Sequence, residues 1–105
     1  ANPDVLDSVR AQIVGTDPNG YFGCVAAFMS LNFRDRIGHI NTPTLFISGA
    51  EDQRGGPPDV MQELADTVYG ARHVSVPDAA HICNIQNPQC YNEIIGEFLR
   101  AQTTG

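Results

Sequence analysis

Two successive strand-to-helix patterns, between Pro43 and Leu99, limit most what this chain can fold into. "TLFIS", residues 44 to 48, is apolar almost throughout and follows Pro43, which suits entry into a strand covered on both faces. Pro57 and Pro58 then open a segment with Val60, Met61, Leu64, Ala65 and Val68 on one side, ending near Gly70. "HVSVP", residues 73 to 77, is shorter and alternates. A last stripe, over residues 88 to 101, places Tyr91, Ile94, Ile95, Phe98 and Leu99 at helical spacing. Strand, helix, strand, helix is the pattern of a right-handed parallel crossover, so the expectation is an α/β fold with parallel strands at about 44–49 and 72–77.

Helix starts are marked three times by the same dipeptide chemistry, at Asn2-Pro3, Asp17-Pro18 and Asn87-Pro88. The Asx side chain accepts a bond from an orphan amide, and proline at the first helical position has no amide to leave unpaired. The first of these helices carries Val5, Leu6, Val9 and Ile13 on one face. The second, about residues 18 to 31, carries Tyr21, Cys24, Val25, Phe28 and Met29, a stripe expected to pack in a core.

Charge and composition narrow the partners. All six basic residues are arginine, against twelve Asp and Glu, for a net charge of -6. That is the wrong sign for tracking a phosphate backbone, so nucleic acid is not an expected partner. No apolar run approaches the roughly 20 residues needed to cross a bilayer, and "ANPDVLDSVR" lacks the blocks of a signal peptide, so no membrane partner is expected. Cys24, Cys83 and Cys90 are too few for a disulfide scaffold, and reduced thiols in a cytoplasmic protein are the expectation. His73, His81, Cys83 and Cys90 lie near one another without the tight C-x-x-C or H-x-x-x-H pair that pre-forms a zinc tetrahedron, so no metal or other cofactor is expected.

In a parallel sheet, catalytic groups gather beyond the carboxyl ends of the strands. Asp52 lies just past the first strand, in "FISGAEDQRGGPP", and His81 just past the second. Taken singly, Asp52 reads as a cap for the next helix and His81 as a loop residue. Taken together, after neighbouring parallel strands about 4.8 Å apart, they can meet. A carboxylate on one imidazole nitrogen fixes the tautomer and leaves the other nitrogen as a general base.

"INTPTLFISGAEDQRGGPP" followed by "ARHVSVPDAAHICNIQNPQCYNEIIGEFL" resembles the carboxyl-terminal part of an α/β-hydrolase, and "GYFGCVAAFMSLNFRDRIGHI" with "AAHICNIQNP" is most similar to the 3-oxoadipate enol-lactonase group. The resemblance implies a single carboxyl-terminal fragment of a hydrolase domain over 1–105. Residues 1–16 would end a cap helix, 17–40 lead into the core, and 41–105 form two β-α units. It further implies a serine hydrolase acting on a carboxylic ester or enol-lactone, with Asp52 and His81 as triad acid and base. Tyr21 is a candidate for the acyl pocket, on a stripe that packing accounts for equally well. Arg54 is a candidate for attracting a substrate carboxylate, where plain solvation is the commoner role.

Two departures from that family stand out. "DQRGGPP" is a residue longer than the usual D-x-x-T-P-P loop and lacks its threonine. The G-x-S-x-G elbow that holds the nucleophile is absent: Ser8 and Ser30 fall in helices, Ser48 has Phe46 where glycine is required, and Ser75 lies inside a strand. Cys24 belongs to an apolar stripe with no base beside it. The isolated chain is therefore expected not to hydrolyse esters, lacking nucleophile and oxyanion donors. The strand at 44–48 would have one neighbour here, leaving an open edge that calls for the missing amino-terminal hydrolase portion or a second copy. The rival reading is a non-catalytic dimerising module built from the same remnant.

Overall fold

A computed structural model describes residues 2–33 and 35–104, and the chain divides into two compact units, one ending at Phe33 and the other following it. The first unit holds α1 (Pro3–Val14) and α2 (Pro18–Ser30). Both begin as the dipeptides require. Asn2 Oδ1 accepts from the Asp4 amide and Asp17 Oδ1 from the Asn19 amide, each at 2.9 Å. Neither helix buries a residue. The α2 stripe expected to pack in a core is instead open: Phe28 is 77% and Met29 81% exposed, and Tyr21, Val25 and Cys24 are exposed too. The apolar face of α1 does not cover it either: Leu6 and Ile13 are themselves 52% and 69% exposed.

The second unit runs through a 3-10 turn (Ile37–His39), β1 (Leu45–Gly49), α3 (Pro58–Thr67), β2 (Arg72–Val76), the short α4 (Cys83–Gln86) and α5 (Pro88–Thr104). β1 and β2 pair in parallel, with Leu45 opposite Arg72 and Gly49 opposite Val76. Side chains alternate across a strand, so Ile47, Gly49, Val74 and Val76 share one face while Phe46, Ser48, His73 and Ser75 share the other. α5 covers the first face, where Tyr91 and Ile94 pack with Ile47 on the fully buried Val76 and Ala79. α3 covers the second, where Gln62 reaches His73. The sheet is thus layered between helices, as the near-continuous apolar run of β1 foretells. Cys83, at the start of α4, is buried, and Cys90, in the first turn of α5, is half-buried against the same core.

α3 stops at Thr67, earlier than the Gly70 limit read from the sequence, because Val68 turns extended and is itself buried. Gly70 then takes a positive φ of 77° to feed the chain into β2. No described helix is long and apolar enough to cross a membrane.

Candidate active site

Both loops that matter leave the same edge of the sheet. The ladder carries on past the strands: the Ala50 amide donates to the Val76 carbonyl and the Glu51 amide to that of Ala79, both at 2.9 Å. This lays the loop after β1 against the loop after β2. Gly49 permits the approach, since a Cβ there would clash with the Ala80 carbonyl oxygen and lie 2.6 Å from that of Ala79. The second loop turns through Asp78, whose φ of 56° is left-handed. Two side chains from the following segment pin it. Gln86 Oε1 accepts from the Ala80 amide at 2.7 Å, and Asn87 Nδ2 donates to the Pro77 carbonyl at 2.9 Å.

The result is a direct contact between Asp52 and His81. Nδ1 of His81 lies 3.1 Å from Oδ2 of Asp52, with the carboxylate 5% and the imidazole 72% exposed. Asp52 also receives three amides in its own loop: Arg54 at 3.0 Å and Gly55 at 3.1 Å on Oδ1, and Gly56 at 3.0 Å on Oδ2. These bonds, the Arg54 amide foremost, hold its carboxyl down to about 2 from an ordinary 3.8, against the opposing pull of burial and with help from His81. An ionised carboxylate can only accept, so Nδ1 of His81 carries the proton and Nε2 is the acceptor, in a ring turned largely to solvent. Beside the pair is a cavity of about 200 Å³, with Ile47, Met61 and Cys83 on its apolar wall.

Of the other sequence candidates, Arg54 serves Asp52 through its amide, and its side chain is exposed. Tyr21 lies on α2 in the first unit, its ring edge-on to Phe22 with centroids 5.9 Å apart. The sequence reading missed a second histidine contact, this one to a serine: Ser48 Oγ to His73 Nε2 at 2.7 Å. Gln62 continues it, with Oε1 3.3 Å from His73 Nδ1 and Nε2 donating to Asp66 at 2.9 Å. Asp66 fixes the amide's orientation, so Nδ1 donates to Gln62 and the Ser48 hydroxyl donates to Nε2. Ser48 is 4% exposed near the end of β1, and this network satisfies its buried hydroxyl between sheet and α3. Its signal was available in the parallel register, which sets positions 48 and 73 diagonally on one face. No three His, Cys, Asp or Glu side chains cluster as a metal site among the described residues.

Comparison with known proteins agrees with this architecture. No family model matches the chain. A 3-oxoadipate enol-lactonase from Acinetobacter baylyi is 23% identical over 105 residues, 95% of this chain and 37% of its own length. A hydrolase of known structure from Pseudomonas aeruginosa is 32% identical with a TM-score of 0.85, over 94% of this chain and 36% of its own. A thermophilic esterase from Thermogutta terrifontis is 30% identical with a TM-score of 0.63, over 66% of this chain and 25% of its own. The chain thus spans from a quarter to little more than a third of the length of these three proteins. With two parallel strands, their crossover helices and these likenesses, the chain has a partial α/β-hydrolase fold, and its sequence is similar to that of a 3-oxoadipate enol-lactonase.

Proposed function

We propose that this chain supplies the acid-base half of a serine hydrolase site, as the carboxyl-terminal portion of the domain, for a carboxylic ester or enol-lactone. His81 is the general base and later the general acid, and Asp52 is the carboxylate that orients it. The observation that carries the reading is the 3.1 Å contact of Nδ1 with a buried, amide-cradled carboxylate, which leaves the remaining imidazole nitrogen on an exposed ring. As Nε2 takes a proton from an attacking hydroxyl, the imidazolium that forms is stabilised by the ionised Asp52 at Nδ1. The attacking serine and the oxyanion donors come from the amino-terminal hydrolase portion in this reading, because Ser48, the described serine that lines the same cavity, bonds His73 and not His81. The names of the similar proteins, an enol-lactonase and an esterase, support the choice of an oxygen ester as substrate.

Labelling with a fluorophosphonate probe tests this. The isolated chain is expected to stay unlabelled, and a longer polypeptide that adds a G-x-S-x-G segment is expected to label in a His81-dependent way. Labelling of the isolated chain at Ser48 or another serine would overturn it. The dimerising-module reading has its own support in the exposed apolar residues of α2 and the two-stranded sheet. The upstream reading frame separates the two, since a start codon directly before Ala1 favours the module.

A further inference from the structure

Gly55 lies three residues after Asp52, where its amide donates to Oδ1 of that carboxylate at 3.1 Å. Its other side faces the imidazole of His81. A Cβ at this position would fall well inside van der Waals contact with Cε1 and Nδ1, and 3.1 Å from Nε2. Backbone conformation does not demand glycine here, because Gly70 is the positive-φ glycine among the described residues. The ring itself occupies the space that a side chain would need.

We propose that Gly55 is a positioning residue for His81, its bare Cα forming the floor on which the imidazole rests while Nδ1 reaches Asp52. The proposal rests on the reading of His81 as the general base. An imidazole that is 72% exposed has few neighbours to hold its rotamer, and one hydrogen bond of 3.1 Å leaves it free to swing. The carboxylate fixes one ring atom and the glycine surface fixes the plane. A methyl group at position 55 pushes Nδ1 off Oδ2, and misplacement of a catalytic group by about 1 Å costs on the order of a hundredfold in rate. Gly56 is the natural contrast. Its amide also serves Asp52, but a Cβ there meets the flexible Met61 side chain, with Sδ at 3.2 Å, and stays 3.9 Å from Asp52 Oδ2.

The test compares Gly55→Ala with Gly56→Ala by nitrogen-15 NMR of the imidazole, under conditions where it is neutral. The parent chain and Gly56→Ala are expected to show the Nδ1-H tautomer, and the parent a nuclear Overhauser contact between Gly55 Hα and His81 Hε1. Gly55→Ala is expected to shift the ring toward Nε2-H and to lose the contact with position 55. If Gly55→Ala also lowers the melting temperature, the same change in a His81→Ala background must not, because the Cβ then meets no ring. Retention of the Nδ1-H signature in Gly55→Ala, or an equal loss of stability with and without the imidazole, would overturn the proposal. No turnover is measured, so an error in the hydrolase reading leaves these outcomes unchanged.

Discussion

Asp52 is the best-determined side chain of the site, because its own loop closes around it. Three successive amides from Arg54 to Gly56 and one imidazole fill its acceptor positions. Its folded-state pKa is depressed, so the stability it contributes is fully present above its ordinary 3.8 and is lost as pH falls toward about 2. Asp52→Asn is expected to remove that segment of the stability-versus-pH curve, as measured by urea unfolding at successive pH values. A curve unchanged in that window would show that the carboxylate is not held as described. Asp78 offers a prediction of opposite sign. Its left-handed φ of 56° costs a side-chain-bearing residue about 1–2 kcal/mol, and glycine gives back about half of that in unfolded-state entropy. Asp78→Gly is expected to stabilise by about 0.5–1 kcal/mol in the same unfolding experiment. The placement of Asp52 and His81 was legible from the strand ends alone. The amide cradle and the seat for the ring at Gly55 were not, since both depend on how "DQRGG" turns back on itself, a matter of loop backbone that periodicity does not encode.

At the level of elements, the order of strands and helices followed from apolar spacing and from proline and Asx punctuation. The Asn2 and Asp17 caps appear as the dipeptides foretold. Replacing either by Ala is expected to cost its helix about 1 kcal/mol, read as lost helicity by circular dichroism with little change in the second unit's melting. β1 and β2 depend on a close approach that no helix rule could reveal. Gly49→Ala would drive a methyl group into the backbone carbonyls of Ala79 and Ala80, which cannot rotate aside as a side chain can. The expected loss is about 3 kcal/mol, at the upper end of overpacking, by chemical denaturation. The short α4 was passed over because four residues carry too little periodicity to register, yet its Gln86 pins the loop that bears His81.

For the molecule as a whole, the apolar stripe of α2 and the two-stranded sheet share one explanation. Sequence patterning marks a face as apolar without naming what covers it, and here the covering surface is not within the described residues of the first unit. Phe22, Phe28 and Met29 are each more than two-thirds exposed, at 68%, 77% and 81%. Among the described residues β1 has one hydrogen-bonded neighbour, and a sheet edge of this kind pairs readily with another chain. Sedimentation velocity is therefore expected to show the chain self-associating, or co-sedimenting with a complementary hydrolase portion. A stable monomer at high dilution, unchanged by that portion, would count against an open edge. The most direct measurement of the central claim is ester or enol-lactone hydrolysis by this chain combined with a polypeptide that supplies the G-x-S-x-G segment. The expected result is turnover that neither part shows alone and that falls by about a hundredfold or more in His81→Ala. Turnover indifferent to His81 would contradict it.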